Sequence, residues 1–263
     1  MINRLFIFIL FFLIRFTGAF SQGQIVQDPD TKPQNTGGKE QSDHIIKTQL
    51  YIAPSYIWKD EKTITIYFTV TKEGKAHSPF FKEKHETFYE EECKRMLGYF
   101  EFNPALKGAI PVDAYGSLTF TFNGNKYDES VKERKKMKKL VTKPQDSTFT
   151  IYELADKSPE FYKGEEEFPA FILENIEYPT VAKNQNIEGT VPVTFIVETN
   201  GYVSNVKALK TVNGGCSEEA VRVILLTKWK PAEKNGKHVR YRMTLPIVFN
   251  LKNVNKDNSA SGQ

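Results

Sequence analysis

The chain has 263 residues, of which 40% are hydrophobic and 26% are charged, and its mean hydropathy is −0.46. This composition excludes a bundle of membrane-spanning helices and provides enough apolar residues for one or two packed domains. The 36 basic and 32 acidic residues leave a net charge of +4, so no overall nucleic-acid-binding surface is expected.

The first 21 residues have the pattern of a secretory signal peptide. An apolar run of ten residues, Leu5 to Ile14, is followed by small residues at Ala19 and Ser21, which permit cleavage before Gln22. The alternative is an uncleaved inner-membrane anchor facing the periplasm. Such an anchor needs roughly 20 apolar residues and would place Arg15 inside the bilayer, at a cost of about 2.5 kcal/mol or more. We therefore expect a periplasmic protein whose signal peptide is removed.

An internal repeat runs through most of the chain with a shift of 127 residues. The segment TITIYFTVTKEGKA begins at Thr63 and aligns with TVPVTFIVETNGYV, which begins at Thr190. The register continues without a gap, and it pairs Phe68 with Phe195, Glu92 with Glu219, Arg95 with Arg222, Phe102 with Trp229 and Leu118 with Leu245. A register of this length predicts two tandem domains rather than a solenoid of short units.

The second copy carries the clearer pattern of secondary structure. Apolar residues recur at helical spacing in FPAFILENIE, and the Tyr178-Pro179 pair then interrupts them, which predicts two short helices. Alternation in GTVPVTFIV and in YRMTLPIVF predicts strands, and Asn200-Gly201 predicts a tight hairpin turn after the first of them. The predicted order is helix, hairpin, helix, strand.

The predicted fold class is α+β, with two tandem domains that each have a small antiparallel sheet of about three strands and two helices packed on it. In the first copy Ile52 replaces Pro179 and Glu73 replaces Asn200, which leaves open whether this degenerate copy has only drifted or binds something else. The predicted boundaries are a signal peptide at 1–21, a polar lead-in at 22–42, the degenerate domain at 43–126, a basic linker at 127–146, the second domain at 147–252 and a disordered tail at 253–263.

Side chains typical of catalysis do not form a motif in this sequence. There is no glycine-rich phosphate loop, and His77, His85 and Cys93 follow one another at an eight-residue spacing that neither a helix face nor a tight turn would bring together. We therefore expect no enzyme activity, no cofactor and no metal. Cys93 and Cys216 fall at non-equivalent positions of the two copies, which leaves a disulfide between the domains open.

Several motifs of the second copy together resemble the TonB C-terminal domain. They are the Tyr178-Pro179 pair before a helix, the strand GTVPVTFIV, the Asn-Gly turn, the helix EEAVRV, the segment KWKP and a closing strand of aromatic and aliphatic residues. The resemblance implies a periplasmic protein that binds the plug of outer-membrane β-barrel transporters, or their TonB-box peptides, by strand addition and supports energy-dependent transport. It also implies an inner-membrane motor as a partner if the N-terminus is retained.

Sheet edges are the expected binding sites of such a protein. Pro192 and Pro246 cannot donate a ladder hydrogen bond, so their strands are expected at an edge or to be locally interrupted. The resemblance implies that the closing strand receives the transporter peptide, and the expected partner-binding residues are Tyr178, Pro179, Val239, Arg240, Tyr241, Arg242, Met243 and Thr244. Arg240 and Arg242 are expected to point outward, where they would favour an acidic peptide or serve only to keep the edge from aggregating.

A second function from a different class stays open at this point. The two domains would then serve the assembly of the cell envelope, as a structural or interaction protein without energy transduction. This alternative predicts self-association, and a homodimer is therefore a further expectation.

Cleavage of the signal peptide can be tested on the mature protein. We expect the intact mass of protein recovered from the soluble periplasmic fraction to begin at Gln22, because the apolar run is too short to span a bilayer. A full-length mass in the inner-membrane fraction would contradict this prediction and favour the anchored form.

Overall fold

The computed structural model describes residues 25–56, 60–135 and 149–254. The predicted signal peptide, most of the predicted basic linker and most of the predicted tail lie outside the described residues. We call residues 25–135 the N-terminal unit and residues 149–254 the C-terminal unit. Among the described residues, no helix has both the length and the apolar character needed to cross a membrane.

The N-terminal unit combines helices with a small antiparallel sheet. In chain order its elements are β1 (Gln34–Asn35), α1 (Gly38–Gln49), β2 (Lys62–Val70), β3 (Ala76–Phe80), α2 (Thr87–Leu97), β4 (Phe102–Asn103), β5 (Ala105–Lys107), β6 (Ile110–Val112), β7 (Ala114–Phe122) and α3 (Gly124–Lys135). The sheet has the order β3-β2-β7, while β1 pairs with β4 and β5 pairs with β6.

Alternation along β2 explains how this sheet forms a core. Ile64, Ile66 and Phe68 are fully buried, whereas Thr63 and Thr65 lie on the opposite face, as expected for a strand with one side on a core. The buried side chains pack against an apolar stripe of α2 that contains Tyr89, Cys93 and Met96.

The C-terminal unit has a larger sheet. Its elements are β8 (Ile151–Tyr152), β9 (Glu160–Phe161), α4 (Phe168–Asn175), α5 (Thr180–Asn184), β10 (Gly189–Val197), β11 (Val203–Ala208), α6 (Cys216–Leu225), β12 (Trp229–Lys230), β13 (Ala232–Lys234), β14 (Lys237–Phe249) and α7 (Leu251–Val254). The sheet order is β11-β10-β14-β13, and β8 pairs in parallel with β14. The predicted α+β fold class is confirmed.

The core of the C-terminal unit lies between its sheet and its helices. Val191, Val193 and Phe195 of β10 contact a buried cluster that includes Ile224 of α6 and Trp229. The two short helices predicted on either side of Tyr178 and Pro179 are present as α4 and α5. In the predicted hairpin turn only Gly201 has a positive φ, of 79°, while the side chain of Asn200 is buried.

Element bounds recur in the two units with the shift seen in the sequence. β2 becomes β10, β4 becomes β12, β5 becomes β13 and β7 becomes the second part of β14 when 127 is added to the residue numbers. The β1-β4 pair corresponds to the β9-β12 pair, although β1 is related to β9 by a shift of 126 residues. That the N-terminal unit is a degenerate copy of the same domain stays a prediction, and so do the domain boundaries.

The predicted polar lead-in takes part in the fold. β1 and the start of α1 lie within it, and the Asp30 carboxylate accepts a 2.5 Å hydrogen bond from the Gly108 amide. That bond and Lys107 lower the pKa of Asp30. The two cysteines are free thiols in separate cores, so the structure contains no disulfide between the units.

Helix α1 attaches the N-terminal unit to the edge strand β11. The Gln41 amide donates to the carbonyl oxygen of Val206 at 2.5 Å, and its oxygen accepts from the Val206 amide at 2.9 Å. The Gln41 side chain therefore makes the two main-chain hydrogen bonds with Val206 that a neighbouring strand would make. Further along α1, the amide groups of Gln49 and Asn200 exchange hydrogen bonds of 3.2 and 3.1 Å. These buried bonds fix the two units against each other.

His44 lies in the same contact and should make stability depend on pH. Its ring Nε2 is 3.1 Å from the Val203 carbonyl oxygen, and burial lowers the pKa of His44 from 6.5 to about 4. Between these two values the unfolded chain binds a proton that the folded chain does not, so stability decreases as the pH falls.

We expect His44→Gln to remove this dependence. The free energy of unfolding of the wild type, relative to the variant, should decrease by about 1–2 kcal/mol between pH 7 and pH 5. Urea unfolding at both pH values measures it, with the exposed His77→Gln as the control. An equal pH dependence in wild type and His44→Gln would contradict the prediction.

Candidate binding site at the sheet edge of the C-terminal unit

Strand β14 has one side paired along most of its length and the other side only partly paired. β10 pairs with it from Tyr241 to Phe249. β13 pairs with residues 237–239, before that stretch, and on the other side of the strand β8 pairs at Arg240 and Tyr241. Among the described residues, no strand pairs with that side beyond Tyr241, and the segment 242–249 therefore forms an outer edge.

The direction of the main-chain groups along this edge follows from the hairpin. The Glu198 amide bonds to the Tyr202 carbonyl, and the Leu209 amide donates to the Pro192 carbonyl at 2.8 Å. Even-numbered residues of β10 therefore face β11 and odd-numbered residues face β14. Because Pro192 lies opposite Pro246, the even-numbered residues of β14 turn their N–H and C=O groups to the outer edge.

This geometry explains both prolines. Pro246 lies on an edge strand as predicted, with its nitrogen toward the outside. Pro192 lies on the central strand β10, but it faces β11 next to Val193, which pairs with Ala208, the last residue of that strand. Neither proline removes a hydrogen bond from the β10-β14 ladder.

Arg240 does not point outward, so that part of the prediction is wrong. Its side chain is only 4% exposed, and its guanidinium donates two hydrogen bonds of 2.8 Å to the Glu198 carboxylate. A third nitrogen, Nη1, donates to the carbonyl oxygens of Gly98 and Phe149 at 3.3 and 3.1 Å. The physical reason is that the N-terminal unit covers this end of the polar face of β14.

Arg240 and Glu198 stabilise each other's charge in this buried pair. Burial opposes the charge of Arg240, but Glu198 outweighs burial and raises the pKa of the guanidinium. The Ser204 hydroxyl donates a further bond of 2.5 Å to Glu198. Burial, followed by the charge of Glu198, raises the pKa of Tyr99, whose ring lies 5.1 Å from the guanidinium carbon of Arg240.

Arg242 is half-buried and also faces the N-terminal unit. Its Nη2 donates to the Glu101 carboxylate at 3.0 Å, and Lys207 donates to the same carboxylate at 2.6 Å. Burial opposes the ionisation of Glu101, but these two cations outweigh it and lower the pKa of the carboxyl. Arg242 is therefore committed to a carboxylate within the chain.

Tyr178 and Pro179 lie at the opposite end of β14. The Tyr178 ring packs edge-on against Phe249 with a centroid distance of 5.6 Å, and its hydroxyl donates to the Ile187 carbonyl at 2.6 Å. Pro179 precedes the first residue of α5 in an extended conformation. Nine strand residues at about 3.4 Å each separate Phe249 from Arg240, so the structure does not bring the two predicted groups together.

Most of the remaining predicted residues make contacts within the domain, and one of them lies at the outer edge. Val239 is buried and pairs with Ala232. The Tyr241 hydroxyl donates to the Glu153 carbonyl at 2.8 Å, and Met243 packs partly against the core. Only Thr244 is exposed and also turns its main-chain groups to the outer edge.

The expected partner-binding residues ended at Thr244 and did not include Pro246 and Val248 of the same edge. Both are exposed, and 55% of Val248 is accessible although it is an apolar residue in a strand. The available signal was the alternation itself, which puts Val248 on the face that carries Arg240, Arg242 and Thr244. Among the described residues, no group of three or more His, Cys, Asp or Glu side chains could hold a metal ion.

We expect Arg240→Met to destabilise the protein strongly, because it leaves the Glu198 carboxylate buried without its cation. Removing one partner of a buried pair typically costs about 3–5 kcal/mol, measured here as the free energy of unfolding in urea. Arg242→Met is the matched control, since this half-exposed pair should contribute no more than about 1 kcal/mol. Equal losses in the two variants would contradict the assignment of the buried pair.

Comparison with known proteins identifies a family for part of the C-terminal unit. Residues 174–251 match the family described as Gram-negative bacterial TonB protein C-terminal. Similar solved structures include two NMR solution structures of the Helicobacter pylori TonB-CTD, both at 24% identity and a TM-score of 0.25. One match covers 32% of this chain and 77% of that chain, and the other covers 33% and 92%. No curated protein matches the chain. The segment 174–251, which contains α5, the β10-β11 hairpin, α6 and β14, is a member of the TonB C-terminal domain family.

Proposed function

We propose that this protein is a TonB-like periplasmic protein that binds an extended segment of an outer-membrane transporter at the outer edge of β14. The observation that supports the proposal is that, among the described residues, no strand pairs with the outer side of residues 242–249 in the matched domain. An unpaired strand edge is a template for an incoming strand, whose main-chain hydrogen bonds provide the affinity.

The second edge of the same sheet supports this choice of strand. β11 is the last strand on the other side, but Gln41 of α1 bonds both main-chain groups of Val206 there. The Asn205 side chain donates to the Tyr99 carbonyl at 2.9 Å. An incoming strand would have to displace these buried contacts at β11, whereas at β14 it would meet Thr244, Pro246 and Val248, which are exposed.

Donors and acceptors along the β14 edge define the segment that fits. Thr244 and Val248 offer both an amide and a carbonyl, while Pro246 offers a carbonyl alone. These residues span about 14 Å, which corresponds to an added segment of about five residues. Since Arg240 and Arg242 are held by Glu198 and Glu101, selectivity for an acidic segment is not expected from them.

The peptide partner proposed here is a TonB-box segment. Energy coupling would further require the inner-membrane motor and a retained N-terminus, and it is a separate part of the proposal. Strand addition at β14 does not depend on it.

Thr244→Pro tests the edge without disturbing the sheet. The Thr244 amide faces outward, so its loss should leave the β10-β14 ladder intact, as Pro246 does two residues later. We expect the affinity for synthetic TonB-box peptides, copied from the outer-membrane transporters of the same organism and measured by fluorescence anisotropy, to decrease at least tenfold.

Thr244→Val is the matched control, because it keeps the amide and should retain the affinity. Circular dichroism and thermal unfolding establish that both variants fold. Unchanged peptide affinity in folded Thr244→Pro would contradict binding at this edge. Self-association of the wild type in light scattering, without peptide binding, would instead support the envelope-assembly alternative.

A further inference from the structure

The N-terminal unit has an unpaired strand edge of its own, at β7. The order β3-β2-β7 places β7 at the end of its sheet. On its outer side, among the described residues, the only bridge is that of Val26 with Ala114, at the start of the strand. From Tyr115 to Phe122 no described strand occupies that side.

Hydrogen bonds in the β2-β3 hairpin fix which residues of β7 face outward. The Thr71 amide bonds to the Lys75 carbonyl, so odd-numbered residues of β2 face β3 and even-numbered residues face β7. Ile66 lies opposite Leu118, which turns the main-chain groups of Ser117, Thr119 and Thr121 to the outer edge. The bond of 2.8 Å from the Val26 amide to the Asp113 carbonyl agrees with this direction.

A cavity of about 540 Å³ lies along this edge. Thr119 and Thr121 form one wall, and the other includes Ile46 of α1, Leu50 directly after α1 and Tyr127 of α3. None of the described residues that line the cavity belongs to β2, so the cavity is on the outer side of β7 rather than over the sheet face.

The charges around the cavity balance. Asp43 and Glu129 contribute two anions to its lining, and Lys47 and Lys126 contribute two cations. The other lining residues include the two threonines of the strand and the apolar side chains of Ile46 and Leu50. A segment that is extended, uncharged in its centre and alternates between apolar and small polar residues would complement this lining.

We propose that the β7 edge binds an extended, uncharged segment of a partner protein by strand addition in this cavity. The site is separate from the β14 edge and does not depend on the function proposed for it. Ser117, Thr119 and Thr121 supply donors and acceptors over about 13 Å, enough for about five residues of an added strand.

The outward main-chain donors of the two edges differ at one aligned position. The shift of 127 residues places Thr119 where β14 has Pro246. The β7 edge thus has an uninterrupted series of outward amides, whereas the β14 edge lacks one. Thr119→Pro would give β7 the interruption that β14 already carries, with no loss from the β2-β7 ladder.

The probe is the peptide KTVTVTVE, acetylated and amidated at its ends, which is neutral overall and alternates valine with threonine. We expect saturable binding to the full chain, with chemical-shift changes at the amides of Ser117, Thr119 and Thr121 in NMR spectra. A peptide whose central amides are all N-methylated should bind at least tenfold more weakly, because it cannot donate to a strand.

Variants of the protein complete the test. Thr119→Pro should weaken binding at least tenfold, and Thr119→Val, which keeps the amide, should not. Absence of binding, equal binding of the N-methylated peptide, or shift changes confined to β14 would each overturn the proposal. Dimers that dissociate in Thr119→Pro would also overturn it, by making a second copy of the chain the occupant. If Thr119→Pro fails to fold, the affinity of the N-methylated peptide and the location of the chemical-shift changes in the wild type still test the proposal.

Discussion

The buried ion pair between Arg240 and Glu198 sets the arrangement of the whole molecule. Both residues lie on the face of the C-terminal sheet that is opposite its helices, a face that water would reach if this domain stood alone. A buried charge is tolerated only when its hydrogen bonds are complete. Here the Ser204 hydroxyl donates a further hydrogen bond to the carboxylate, and the guanidinium donates further hydrogen bonds to the carbonyls of Gly98 and Phe149. The pair therefore needs the N-terminal unit in place, and it fixes where that unit lies.

This placement decides which strand edges stay accessible. The N-terminal unit closes the edge of β11 through Gln41 and covers the start of the β14 edge region at Arg240 and Arg242. Among the residues that the structure describes, no strand pairs with the outer side of the remainder of β14 or, in the N-terminal unit, with the outer side of β7 beyond Ala114. β7 is the last strand of its sheet, and on β14 no described strand pairs with the outer side beyond Tyr241. Both edges present alternating main-chain groups outward. The two proposed binding sites belong to different sheets, so occupation of one edge would not block the other.

Much of the fold could be predicted because its signals are local. Period-two alternation gave the strands β10 and β14, and the Tyr178-Pro179 pair gave the break between α4 and α5. The orientation of Arg240 could not be predicted in this way. Alternation places it on the polar face with Arg242 and Thr244, but it does not say what covers that face. The register offers a clue only once the strands are paired, since Val197 opposite Tyr241 brings Glu198 and Arg240 together across the ladder.

The two units share a glutamate-arginine ion pair on the helix that packs on the sheet, whereas the residues at their strand edges differ. In α2, Glu92 pairs with Arg95 and accepts the Tyr51 amide, and Arg95 reaches the Gln49 carbonyl. In α6, Glu219 and Arg222 repeat this arrangement with the Glu177 amide and the Asn175 carbonyl. Each of these ion pairs fixes the chain segment that leads into the sheet. Substitution of the glutamate would leave a main-chain amide without its hydrogen-bond acceptor, so these positions tolerate little change. An outward edge position has no such constraint, because the exchange of proline and threonine at the aligned positions 246 and 119 alters no main-chain hydrogen bond within either sheet. Differences in binding between the two units are therefore expected at the edges, where the chain can vary without losing its fold.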